Sequence, residues 1–276
     1  MKKSFLFTFS IIFTVLIISC GGGGGGSSDN DELNDDLDGL ETVNDIVLDS
    51  GQGFSYAIST TDKVIIIGIT PDGEQRNSIT IPSYIENKEV IAIGKSAFLG
   101  TGSILKTIIL PDTIVDIQKY AFQNCYGLTS INIPKNILRI GYSAFSGCSN
   151  WNSELILPNS LKIIGKNAFY DCSKLNGTLL IPPNIKVIES YSFRDCSSFV
   201  GTMIIPKSVE RIMAGAFMFC SGLTGVRVEN NVPPSVGNDI FGGCTALTAI
   251  YVPSSVVGVY KAAPGWSNYS GIIVGY

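Results

Sequence analysis

Leu128-Thr129-Ser130-Ile131-Asn132-Ile133-Pro134-Lys135-Asn136-Ile137-Leu138-Arg139-Ile140-Gly141-Tyr142-Ser143-Ala144-Phe145-Ser146-Gly147-Cys148 is the stretch that decides the fold. The alternation Ile131-x-Ile133 has the period of a strand with one buried face. Pro134 ends that strand, because it has no N–H to give to a ladder. Ile137 and Ile140 lie three apart and are followed by Gly141, which fits a short turn or a second strand. Ala144-Phe145 with Cys148 forms a tight apolar corner.

The stretch is one copy of many. Phe98, Phe122, Phe145, Phe169, Phe193, Phe217 and Phe241 are spaced by 24, 23, 24, 24, 24 and 24 residues. Cys125, Cys148, Cys172, Cys196, Cys220 and Cys244 each follow such a phenylalanine by three, and Thr101 holds that place in the first copy. Ala97, Ala121, Ala144, Ala168 and Ala216 precede the phenylalanine, with Ser192 and Ile240 as substitutes. Pro82, Pro111, Pro134, Pro158, Pro182 and Pro206 mark a second fixed point. A unit this short cannot bury its own apolar side. Stacked on its neighbours, it builds a continuous core in which like residues form ladders. The expected architecture is mainly β with short turns or helical corners, a solenoid of about eight turns of 23–24 residues.

The pattern L-x-x-I-x-I-P-x-x-I-x-x-I-G-x-x-A-F-x-x-C resembles the BspA-like, or Treponema-type, leucine-rich repeat over roughly residues 78–265. The resemblance implies a right-handed solenoid with parallel strands on one face and short strands or turns on the other. Residues 64–67, 79–82 and 90–94 resemble the family's N-terminal half repeats. The tail Tyr260-Lys261-Ala262-Ala263-Pro264-Gly265-Trp266 resembles its closing segment, in which an aromatic covers the last core layer. Pro82 and Phe98 are 16 residues apart, against 11 in the next copies, so a five-residue insertion sits near Glu86 to Val90. The copy containing Val228-Glu229 lacks its proline, which shifts to Pro233-Pro234 and implies a different bend. The expected divisions are a cap with the first repeat over 51–101, repeats over 102–250 and a C-terminal cap over 251–276.

Ahead of the repeats stand Lys2, Lys3 and an apolar run from Phe5 to Ile18, as in an export signal. Ile17-Ile18-Ser19-Cys20 resembles a bacterial lipobox. It implies a signal peptide over 1–19, a diacylglycerol on Cys20 that anchors the chain without a membrane span, and an outer-membrane, surface-exposed lipoprotein. Gly21 to Gly26 with Ser27 and Ser28, followed by nine acidic and no basic residues from Asp29 to Asp49, form a flexible tether over 20–50. Asn34, Asp36, Asp38, Gly39 and Asp45 approximate a calcium loop, so calcium in residues 34–45 stands beside a simply solvated acidic stretch.

The chemistry that remains is narrow. The chain has no histidine, which removes imidazole acid–base catalysis, His-activated nucleophiles and imidazole metal sites. Cysteines 24 residues apart do not have zinc spacing. Stacked neighbours could form disulfides, yet six equivalent positions behave more like buried free thiols. The carboxylates Asp112, Asp116, Glu154, Asp171, Glu189, Asp195, Glu210, Glu229 and Asp239 fall at scattered repeat positions. No catalytic residue, cofactor or metal is assigned, and no nucleic-acid partner is expected.

The strand face carries the binding expectation. Between the inward residues fall Thr80, Ile109, Asn132, Ile156, Leu180, Ile204, Arg227 and Tyr251, beside Thr107, Ser130, Glu154, Thr178 and Thr202. An exposed aliphatic row marks a partner surface; the alternative is that branched side chains simply suit a β ladder. The expected function is non-catalytic protein binding at the cell surface. The family resemblance implies host matrix or cell-surface proteins, or other bacteria, as partners. A self-assembling surface module and a glycan- or nutrient-capture accessory are the alternatives, with Trp151, Trp266 and Tyr251 as the sugar platforms available to the latter.

Overall fold

The computed structural model describes residues 43–47 and 53–276. Each turn of the chain runs through two strand positions and one tight corner. On the first face, parallel strands Ser78–Thr80, Thr107–Ile109 and Ser130–Ile131 pair in register. Further on, Gly201–Ile205, Leu223–Val228, Ala249–Val252 and Ile273–Gly275 form a second parallel group. Isolated bridges, Glu154↔Asn176, Gly177↔Phe199 and Leu180↔Ile204, link the turns between them.

The interruption has a cause in the sequence. Leu128 and Pro134 are six residues apart, whereas Trp151–Pro158, Leu175–Pro182 and Phe199–Pro206 are seven apart. In the last two of these segments Gly177 and Gly201 adopt φ of +82° and +76°. The pairing register shifts between Gly201 and Thr202. In these two turns the extra residue is therefore accommodated at a left-handed glycine, with a bulge at Gly201.

The second face stacks the short strands Lys88–Ile93, Asp116–Ile117, Arg139–Ile140 and Ile163–Ile164, all parallel. Val187–Ile188, Arg211–Ile212 and Ser235–Val236 form a separate group. The residues around Ile140, open between turn and strand from sequence, are thus a two-residue strand. Arg139 donates to both oxygens of Asp116 one turn below, at 2.9 and 2.8 Å.

At the N-terminal end Val43–Val47, Phe54–Ser59 and Val64–Ile69 pair antiparallel and continue this second face into Lys88–Ile93. This corrects the tether boundary: residues 43–47 belong to the sheet, because Val43-Asn44-Asp45-Ile46-Val47 finds a partner strand. Asp45, the last ligand of the calcium reading, stands in that strand. The signal peptide, Cys20 and residues 34–38 lie outside the described residues. The insertion near Glu86 is a hairpin. Tyr84–Ile85 turns back onto the start of Lys88–Ile93 through Glu86 and Asn87, both at positive φ, as a two-residue hairpin turn requires.

The corners form a third ladder that is not a strand. Residues two before and two after each ladder phenylalanine have left-handed backbone; Tyr120, Asn124, Asn167, Asp171, Tyr191, Asp195 and Phe219 are among them. Their N–H groups and that of the phenylalanine donate to the next turn, as in Tyr120 N to Tyr142 O at 2.9 Å, Phe122 N to Ala144 O at 2.7 Å and Asn124 N to Ser146 O at 2.7 Å. Each left-handed non-glycine residue costs on the order of 1 kcal/mol. The interturn bonds and the buried phenylalanine beneath hold it there.

Inside, the seven phenylalanines stack nearly parallel, with centroids 5.1 to 5.6 Å apart. The C-terminal helix Val257–Ala262 closes the core with Tyr260, and Trp266 follows; both are fully buried. Trp266 Nε1 donates to Pro234 O at 2.8 Å. The displaced proline pair thus provides the closing aromatic with its anchor. Strand Ile273–Gly275 then adds a last rung beyond the repeat pattern, which makes about nine turns where about eight were expected.

Candidate functional site

The pleat places the strand-face row as the alternation requires. Ile156, Leu180 and Ile109 are 71%, 54% and 49% exposed, while their neighbours Leu155, Leu179 and Ile108 are buried. Ile204 and Arg227 are half-buried, and they are paired in register with each other and with Tyr251. Leu180 bridges Ile204, so the row from Leu180 to Tyr251 is continuous across four turns.

Two members of the row have structural duties that the sequence did not announce. The Asn132 side chain donates to Leu110 O and accepts from Leu110 N, both at 2.8 Å. It prolongs the ladder between these turns in place of backbone. Arg227 lies under the C-terminal residue, its guanidinium carbon 3.9 Å from the Tyr276 ring centroid. The aliphatic part of the row, Ile109 with Ile156 to Ile204, is the part left without such engagements.

The cysteines are buried free thiols. Each Sγ donates to the carbonyl of the phenylalanine that opens the preceding turn's corner: Cys125 to Phe98, Cys148 to Phe122, and so on to Cys244 to Phe217, at 3.0 to 3.2 Å. The thiol is therefore a donor as well as a small hydrophobe. Thr101, in the first cysteine place, donates instead to Cys125 Sγ at 3.3 Å. Burial pushes the Cys148, Cys172, Cys196 and Cys220 thiols up, and takes Cys244 up to about 11. Such thiols are not nucleophiles at neutral pH.

Ser192 is fully buried in an alanine place, and its hydroxyl has no partner. Asp171 and Asp195 occupy equivalent corners of adjacent turns. Burial, and then the Asp195 charge, raise the Asp171 carboxyl above its ordinary range. Among the described residues no set of three acidic or cysteine side chains is gathered as a metal site needs, and no helix is long and apolar enough to cross a membrane.

The corner face holds what sequence reasoning missed. Trp151 and Trp266 are core residues, not platforms. Outside the core, five successive turns each place one aromatic on this face: Tyr120, Tyr142, Tyr170, Tyr191 and Phe219. The Tyr120 and Tyr142 rings meet edge to face at 5.2 Å. Arg194 lies 5.5 Å from the centroids of Tyr170, Tyr191 and Phe219, and its Nε is 3.2 Å from Asp195 Oδ2. A groove of about 480 Å³ opens among the first three tyrosines. A second, more apolar cleft of about 500 Å³ lies on the other strand face, between Ile163–Ile164 and Val187–Ile188, where that ladder is interrupted.

Solved structures of known proteins share this fold. A leucine-rich repeat protein of Treponema pallidum is 26% identical, with a TM-score of 0.63 over 72% of this chain and 90% of that one. A leucine-rich cell surface protein of Faecalibacterium prausnitzii is 25% identical, with a TM-score of 0.65 over 76% of this chain. The present chain spans 55% of that protein's length. No curated protein sequence matches. The profile of the BspA type leucine-rich repeat region matches in six copies, over residues 74–200 and 152–264. With most of the chain matched in the register of its phenylalanine ladder, the protein belongs to the BspA type leucine-rich repeat family.

Proposed function

We propose that the chain is a non-catalytic surface lipoprotein that captures proteins on its first strand face. The observation that carries this is the row Ile109, Ile156, Leu180 and Ile204. Three of these four aliphatic side chains are about half or more exposed on a rigid ladder, at a place where core packing does not require them. An apolar stripe bordered by threonine, serine and glutamate resembles the centre and rim of a protein interface. The neighbour described as a cell surface protein, the repeat family and the lipobox at Cys20 support a surface setting, with the partner an extracellular host protein or a protein of another bacterium.

Capture from a mixture of extracellular proteins by the full chain, compared with an Ile156→Asp/Leu180→Asp variant, tests the reading. The wild type retains a partner that the variant loses, while both melt at the same temperature. Equal retention would exclude the strand face as the capture surface. Protease shaving of intact cells tests the surface setting, since a displayed protein is cleaved and a protected one is not.

A further inference from the structure

The corner groove differs in kind from the strand face. Three successive turns provide its rings, Tyr120, Tyr142 and Tyr170, and the cores of these turns step by 5.2 and 5.4 Å. Gln123 and Asn167 line the same groove, and Asn167 Nδ2 donates to the Tyr142 hydroxyl at 3.4 Å. The nearly buried Ser143 and Ser146 complete it.

Amide and hydroxyl groups make up all of this polar lining, and each both donates and accepts. No cation and no carboxylate is among the lining residues, and Arg194, 5.5 Å from the Tyr170 ring centroid, is paired with Asp195, so the groove presents no free charge to a ligand. Its volume lies within the roughly 300–1,000 Å³ of small-ligand sites, and it is a concavity that a flat protein surface would leave unfilled. A ligand that suits it is uncharged, rich in hydroxyls that also donate and accept, and equipped with C–H faces to lie against tyrosine rings repeated one turn apart. Oligosaccharides have that chemistry.

The two residues that anchor the lining are held in place by the fold. Tyr120 and Asn167 are left-handed corner residues whose N–H groups donate to Tyr142 O and Ser190 O. The groove is therefore built before any ligand arrives, and binding pays little ordering cost.

We propose that the groove between Tyr120, Tyr142 and Tyr170 binds a neutral oligosaccharide of about two or three sugar units, independently of protein capture on the strand face. The test is titration of the full chain with four neutral trisaccharides, cellotriose, maltotriose, laminaritriose and mannotriose, followed by calorimetry or ligand-observed NMR. At least one binds. Tyr142→Ala/Tyr170→Ala and Gln123→Ala each weaken that binding about tenfold or more, and Ile156→Asp/Leu180→Asp leaves it unchanged. Gln123→Ala guards against a tyrosine variant that fails to fold. Binding of none of the four sugars, or equal binding by the groove variants, overturns the proposal, whatever the strand face is found to do.

Discussion

The strand face and the corner face belong to the same turns but obey different constraints. On the strand face an outward position needs only an extended backbone, so the chain places Thr80, Ile109, Asn132, Ile156, Leu180, Ile204, Arg227 and Tyr251 there in succession. On the corner face the backbone is left-handed at two positions per turn, and three N–H groups per turn bond to the next one. One face carries varied side chains over a fixed ladder, with Asn132 and Arg227 of the row tied to neighbours. The other fixes its side chains through a demanding backbone and so can build a concave site. A repeat protein can thus carry a broad apolar surface and a small polar groove without altering its core.

The sharpest way to break the contrast is to remove what the corners rest on. Phe169→Ala takes out a ring stacked on both neighbours, 5.4 Å from Phe145 and 5.3 Å from Phe193. It should cost about 3–5 kcal/mol in a denaturant titration. The corner backbone gives a smaller effect. Gly147 has φ of +77°, and an added Cβ would lie 2.7 Å from Asn124 Oδ1. Gly147→Ala should therefore cost about 1–2 kcal/mol, measured the same way.

Ser192→Ala runs in the opposite direction. It restores the alanine of the other turns and removes a buried hydroxyl without a partner, and it should stabilise by about 1 kcal/mol. A melting temperature that falls would contradict the packing described for that corner.

The thiols predict a pH dependence. Their folded values are raised by burial, so below the unfolded thiol value of about 8.5 both states hold the proton and stability is unaffected. Above it the unfolded chain loses protons that the folded chain keeps, and stability declines with rising pH. The decline levels off for Cys244 near its folded value of about 11. A melt that is flat from pH 8 to 10 would contradict buried, proton-bearing thiols. At the small end, Ile156→Ser/Leu180→Ser on the strand face should shift stability by less than about 0.5 kcal/mol.

What was legible in the sequence is what the core repeats. Phenylalanine recurs in register because its ring stacks on its own copy in the next turn, and cysteine because its thiol bonds to the phenylalanine carbonyl of the turn before, so the solenoid and the outward row could be read directly. The corner conformation was hidden. Asn167, Gly215 and Asp239 favour left-handed backbone, but Tyr120, Ser143 and Tyr191 hold the same place and do not. Interturn bonding imposes it on them. The groove was hidden for a related reason. Its tyrosines stand at three different repeat positions: two before a ladder phenylalanine for Tyr120, three before for Tyr142 and one after for Tyr170. Only the fold aligns them. The last rung, Ile273–Gly275, escaped because it completes the ladder from outside the repeat pattern.

Protein capture is proposed for the strand face and not for the corner face. Its most direct test is the affinity of one captured partner for three proteins: the wild type, Ile156→Asp/Leu180→Asp and Tyr142→Ala/Tyr170→Ala. The strand-face variant should lose binding by about a hundredfold or more while the corner variant matches the wild type. Equal affinity of the strand-face variant, or a loss confined to the corner variant, would contradict it.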